Sequence, residues 1–138
     1  VRSPFTPEDY PPSRRVESKG TVSTIVVFPE YIEGLQDIGG FSHIILLCHL
    51  HLAGECALTV TPPWDTVPHG VFATRSPRRP NPISLTVVRL QEVDGNFLHV
   101  ADLDLLDGTP VLDIKPYVET LGKREEVRTG WIQLRDER

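Results

Sequence analysis

Cysteine is nearly absent: Cys48 and Cys56 are the two in the chain. They are too few and too widely spaced for a disulfide framework or a paired CxxC zinc knuckle, so both are expected as reduced thiols. No apolar run approaches the roughly 20 residues of a membrane-spanning helix. Val1-Arg2-Ser3-Pro4 has neither the basic nor the apolar region of a secretory signal. The expected address is the cytoplasm, with no membrane partner. A GxGxxG turn, a Walker lysine loop and a GxSxG elbow are also missing, which excludes Rossmann-type cofactor binding. Helix signals are scarce. Only Pro29 to Ile38 has an early Pro, early acids and a Gly39-Gly40 stop, which predicts one short helix.

Acid is missing from one stretch and base from another. Between Thr66 and Gln91 there is no Asp or Glu, while Arg75, Arg78, Arg79 and Arg89 all fall there. Between Asp102 and Asp113 the sign reverses, with Asp102, Asp104, Asp107 and Asp113 and no cation. The net charge of −5 argues against a general nucleic-acid binder, because non-specific affinity is mostly phosphate neutralisation by Lys and Arg. A chain with one cationic and one anionic arm can still serve two ligands of opposite charge.

What remains is mostly strand and turn. Ile83 to Val93, the pair Asp94-Gly95, and Phe97 to Leu105 predict a β-hairpin, since Asp-Gly supplies the positive φ of a tight turn. TVSTIVVF (Thr21 to Phe28) and FSHIILLCHLHL (Phe41 to Leu52) are β-branched or aliphatic runs bounded by Pro and Gly, the second suited to a buried central strand. Shorter strands are expected at Leu58 to Val60, Gly70 to Ala73 and Val111 to Ile114. With thirteen prolines, ten glycines and no βαβ rhythm, the expected fold is all-β: a small closed or nearly closed β-barrel forming a single domain over residues 1–138. Thr6 to Gly20 reads as a polar, proline-rich arm, and Arg135 to Arg138 as a frayed end.

Three groups of residues could carry chemistry. In TRSPRRPNPISL (Thr74 to Leu85) the prolines push Ser76, Arg79 and Asn81 into extended conformations. The loop is thereby stiff, and its guanidinium forks suit phosphate or carboxylate oxygens. In ADLDLLDGTPVLDIKP (Ala101 to Pro116), a strand would place Asp102 and Asp104 on one face, as a rim accepting hydrogen bonds from a ribose, an adenine amine or an ammonium group. His43, His49 and His51 share strand parity, so a metal-dependent barrel enzyme stands as an alternative, although that strand holds no Glu and no metal is the expected state.

EGLQDIGGFSH (Glu33 to His43), GVFATRSPRRPNPISL (Gly70 to Leu85) and DLLDGTPVLDIKPYV (Asp104 to Val118), in that order, resemble the signature blocks of the TrmO (TsaA-like) family. The resemblance extends from Val1-Arg2-Ser3-Pro4-Phe5 to Gly130-Trp131. It implies a β-barrel methyltransferase outside the Rossmann class that uses S-adenosyl-L-methionine and dimerises with the cofactor near the subunit interface. The implied substrate is N6 of threonylcarbamoyladenosine beside the tRNA anticodon. Carried over position by position, the implied cofactor contacts are His51, Leu52, Arg75, Leu85, Asp104, Leu105, Leu106 and Asp107. Leu52 stands where relatives carry Gln, Ser84 where they carry Gly, and Arg78 where they carry Phe. A family Pro-Arg-Gln element has only a blurred counterpart in Pro12-Ser13-Arg14-Arg15. On this reading Arg78, Arg79, Asn81 and Lys115 face the tRNA, and Asp113 is the candidate base for the N6 proton. The remaining alternative is a non-catalytic barrel that binds S-adenosylmethionine or RNA.

Overall fold

β-Branched and aliphatic residues at alternate positions build the central sheet of the computed structural model, which describes residues 1–6, 20–119 and 124–136. In chain order the strands are β1 (Val22–Val26), β2 (His43–His49), β3 (Thr59–Val60), β4 (His69–Gly70), β5 (Ile83–Asp94), β6 (Phe97–Ala101) and β7 (Val111–Pro116). Five of them form one sheet in the order β1-β6-β5-β2-β7, and β3 pairs with β4 as a separate ribbon. The neighbours in both sheets are antiparallel. The sheet is open: β1 and β7 are its two ends, so the expected closed or nearly closed barrel is not what forms among the described residues.

Alternation sorts the strands into two faces. Ile25, Ile44, Leu46, Cys48, Val88, Leu98 and Val100 point into one core, joined by Leu103 and Leu105 from the segment after β6. The registers Ile44↔Val88 and Ile25↔Leu98 put these side chains opposite one another. The predicted hairpin forms, with Gly95 at φ 59° in its turn, but its second strand stops at Ala101 rather than Leu105. The reason is Asp102, which takes φ 66°, a left-handed conformation that Asp tolerates better than most residues. The Gly20 N–H donates to Asp102 Oδ1 at 2.6 Å, and the Asp102 N–H donates to the Thr21 carbonyl at 3.0 Å. The chain turns off the sheet there and tucks Leu103, Leu105 and Leu106 inward. Asp102 and Asp104 therefore do not share a strand face.

Helix content also departs from expectation. Pro29–Leu35 winds as a 3-10 helix rather than an α-helix, with no side-chain cap. Val71–Ala73 is a 3-10 turn where a strand was expected, β4 ending at Gly70. The one α-helix among the described residues is α1 (Trp131–Asp136), over part of the segment expected to fray. Trp131 pins it: Nε1 donates to the Ala73 carbonyl at 2.8 Å, and the ring stacks on His69 at 4.1 Å between centroids. The arm expected over Thr6 to Gly20, including Pro12-Ser13-Arg14-Arg15, falls outside the described residues except at its ends.

Candidate functional site

A shallow, one-sided cleft opens where β2 ends, lined by Leu50, His51, Leu52, Ala53, Asp104, Leu105, Leu106 and Thr109. One wall continues from the central strand. The other is the segment that Asp102 diverts from the sheet. Leu105 and Leu106 are buried in its floor and Asp104 is half-buried. Asp104 has no hydrogen bond from its side chain among the described residues, so its carboxylate is available to a ligand amine or hydroxyl. The lining is thus apolar with one free carboxylate and one imidazole.

Local bonds hold the second wall. Thr109 Oγ1 donates to the Leu106 carbonyl at 2.7 Å, and the Thr109 N–H donates to the same oxygen at 3.2 Å. Gly108 between them takes φ 83°. Asp107 faces away from the lining: its Oδ1 accepts the Ser3 N–H at 3.0 Å, while Ser3 Oγ donates to the Leu105 carbonyl at 2.7 Å. In this structure Asp107 acts as a clasp for the N-terminal segment. Sequence reasoning missed Thr109, Leu50 and Ala53. The signal for Thr109 was a hydroxyl residue just after Asp107-Gly108, able to bond back to the carbonyl three residues earlier.

The arginine loop runs along the first wall. The Leu50 N–H donates to the Pro82 carbonyl at 2.7 Å, and the Ala57 N–H to the Arg78 carbonyl at 3.0 Å. Arg78 Nε donates to the Glu55 carbonyl at 3.1 Å. These bonds zip the chain from Leu50 to Ala57 against the loop. Arg79 turns inward: NH1 donates to the carbonyls of Thr74 at 2.9 Å and Ser76 at 3.2 Å, so it braces the loop. Arg75 and Asn81 are exposed, and their side chains make no hydrogen bond or ion pair among the described residues.

Of the expected cofactor contacts, the cleft gathers His51, Leu52, Asp104, Leu105 and Leu106, while Arg75, Leu85 and Asp107 lie outside its lining. Leu85 stands on the outer sheet face, 55% exposed, in a row with Leu47 and Asp113 across three strands. Ile83, Ile45 and Val87 share that face. Asp113 and Lys115 form an exposed ion pair at 2.7 Å. The Lys115 hydrogen bond, chiefly, holds the Asp113 carboxyl below its ordinary pKa, the Lys115 charge and the Ile114 N–H adding to the effect and desolvation opposing it. A carboxylate so stabilised is a weak proton acceptor.

The histidines do not converge. His43 bonds Ser42 Oγ at 2.8 Å through Nδ1 and lies at the opposite end of β2 from His49. His51 is beyond the strand, its ring 6.4 Å from that of His49. Among the described residues no three His, Cys, Asp or Glu side chains are grouped to hold a metal ion.

Comparison with known proteins identifies the family. Residues 1–123 match the family model described as the tRNA-methyltransferase O N-terminal domain. A probable S-adenosyl-L-methionine-binding protein of Pyrococcus abyssi is 51% identical over 133 residues, covering 96% of this chain and 72% of the relative. A human tRNA (adenine(37)-N6)-methyltransferase is 43% identical over 93 residues, 65% of this chain and 21% of the human protein. The crystal structure of TrmO from Pseudomonas aeruginosa superimposes with a TM-score of 0.74 at 35% identity, covering 94% of this chain and 57% of that one. The chain thus spans little more than half the length of that solved relative. With a family model matched over most of its length and relatives this similar, the chain belongs to the tRNA-methyltransferase O family, a family of methyltransferases, and carries its N-terminal domain.

Proposed function

We propose that the chain, as a single domain over residues 1–138, binds S-adenosyl-L-methionine in the cleft and methylates N6 of threonylcarbamoyladenosine at position 37 of tRNA, the position named for its human relative. The observation that carries this reading is the meeting of His51 and Leu52 with Asp104, Leu105 and Leu106 in one apolar cleft, zipped to a loop that presents Arg75 and Asn81.

The residues lining this open cleft suit the cofactor's chemistry. Leu105 and Leu106 offer an apolar floor for an adenine, and the free Asp104 carboxylate can accept from a hydroxyl or amine. When bound, the cofactor supplies a methyl group on a sulfonium, which leaves positioning as the protein's main task. Asp104 and His51 fix the donor's orientation, and Arg75 and Arg78 hold anionic oxygens of the tRNA or the threonyl carboxylate. Arg79 keeps those groups in place, and Asn81 hydrogen-bonds a base edge. Asp113 is the proposed acceptor for the N6 proton, a weak one, so most of the rate is assigned to alignment.

A homodimer is part of this reading. The cleft has one open side, and exposed Leu85 and Ile83 with half-buried Ile45, Leu47 and Val87 form an aliphatic sheet face that a second copy would cover. That arrangement brings Leu85 and the partner's surface to the donor, in a cytoplasmic enzyme with tRNA as its other partner. Two measurements test the proposal. Calorimetry should give micromolar binding of S-adenosylmethionine, and mass spectrometry of tRNA nucleosides should show the N6-methylated product only in cells that carry the gene. Binding without product would favour a module that holds the cofactor or RNA without catalysis; absence of binding would refute the proposal.

A further inference from the structure

Phe72 is 75% exposed, although burying a phenyl ring is worth about 1.5–3 kcal/mol. It is not exposed because the chain is loose there. Its neighbour Val71 is buried, at 1% exposure, and the Val71 N–H donates to the Leu58 carbonyl at 2.9 Å. On the other side, Ala73 is held by Trp131 Nε1 at 2.8 Å. Thr74 closes the turn through Oγ1 on the Val71 carbonyl at 2.8 Å, and Arg79 NH1 bonds the Thr74 carbonyl. A ring at the top of a turn fixed at Val71, Ala73 and Thr74 is presented outward and loses little backbone freedom on meeting a ligand. Along the chain there is no acid from Thr66 to Gln91, and Arg75, three residues on, has no partner among the described residues.

We propose that Phe72 is a stacking platform for an unpaired RNA base beside the target adenosine, with Arg75 set to meet the adjoining phosphate. An aromatic face with a cation close by in the chain is chemistry that suits single-stranded RNA. The inference rests on the proposed tRNA reading and assigns a residue to the RNA side of the site that the cofactor cleft does not include.

The test compares wild type with Phe72→Ala, Phe72→Leu and Phe72→Trp on an anticodon stem-loop RNA that carries the modified adenosine. The expected result is a rise in KM for the RNA of roughly tenfold or more for Ala and for Leu, the range of one base–aromatic stack. Phe72→Trp should remain near wild type, and S-adenosylmethionine affinity and oligomeric state should not change. Leu separates stacking from simple apolar contact. A stem-loop with an abasic residue on one side of the target should abolish the difference between wild type and Phe72→Ala. A KM change below twofold for Phe72→Ala, with wild type active, overturns the platform alone. A parallel loss of cofactor affinity, or dissociation of a dimer, also overturns it, assigning Phe72 to the donor or to the second copy. Wild type that neither binds nor methylates the stem-loop removes the tRNA reading and this inference with it. Near-equal unfolding midpoints for all variants confirm that each is folded.

Discussion

The cleft takes one wall from Leu50 to Ala53 and the other from Asp104 to Leu106, distant segments that meet through the sheet order, in which β2 lies between β5 and β7. The arginine loop closes on itself: Arg79 bonds Thr74 and Ser76, and the Ser76 N–H donates to Thr74 Oγ1 at 3.2 Å. The cleft is thus a product of the whole fold, whereas the loop is shaped by bonds within its own twelve residues and by three to the neighbouring segment of Leu50, Glu55 and Ala57. Damage to the core should remove the first entirely, while local changes should affect one without the other.

The largest effect is expected from Leu46→Ala. Leu46 is fully buried in the central strand β2, so truncation leaves a cavity in the core that also holds Leu105 and should cost about 2–5 kcal/mol. Denaturant unfolding would show it as a lower midpoint at constant slope. A loss below about 1 kcal/mol would mean that the sheet repacks and that the cleft depends less on it than the bonding implies.

Next come paired changes that should separate the two regions. Asp104→Ala removes a carboxylate with no partner among the described residues, so stability should hold within about 0.5 kcal/mol. Calorimetry should find S-adenosylmethionine bound at least about tenfold more weakly, as expected for a lost hydrogen bond to a charged group. Arg79→Ala should do the reverse, leaving cofactor affinity intact and raising the KM for tRNA about tenfold by loosening the loop. Arg79→Lys should not restore it, because an ammonium cannot reproduce the fork on two carbonyls. Equal loss of cofactor and tRNA affinity in Arg79→Ala would erase the distinction.

The same contrast explains what the sequence revealed. The loop was legible because its prolines and arginines act within a few residues, and the β5-β6 hairpin because Asp94-Gly95 carries its own turn geometry. The ending of β6 was not, since alternation continues through Leu103 and Leu105 while the break comes from Asp102 bonding to Gly20 and Thr21, far away in the chain. Barrel closure was over-read for a related reason: composition reports many short strands but not which edges pair. Thr109 and the carbonyl roles of Glu55 and Pro82 are backbone matters that residue type hardly marks. Five residues of the family blocks line one cleft, while Asp107, expected as a cofactor contact, accepts the Ser3 N–H in this structure.

A smaller effect concerns the two thiols, one in each kind of environment. Cys48 is fully buried in β2, and burial pushes its thiol up to about 11, so it stays protonated and sheltered at neutral pH. Cys56 is exposed in the segment zipped to the arginine loop. Iodoacetamide should modify Cys56 rapidly in the native protein and Cys48 only as fast as the sheet opens. Mass spectrometry of the labelled peptides measures both rates, and comparable rates would show that the sheet under the cleft opens as readily as the loop.

The smallest effect is expected at Asp113 and Lys115, which belong to neither construction. The folded pKa of Asp113 is depressed, so the pair's contribution is present above the ordinary carboxylate pKa and disappears as the pH falls through the lower folded value. Across about pH 5 to about pH 8 the carboxylate remains ionised, and Lys115→Ala should leave the pH dependence of stability unchanged there. In that variant the Asp113 carboxyl, followed by NMR, should titrate nearer the ordinary value because its main stabilising bond is gone. The methyl-transfer rate should likewise show no inflection from Asp113 near neutrality. An inflection that vanishes in Asp113→Asn would mean that tRNA binding breaks the Lys115 pair and makes Asp113 a stronger base than the weak acceptor proposed, on the outer sheet face beside Leu47 and Leu85.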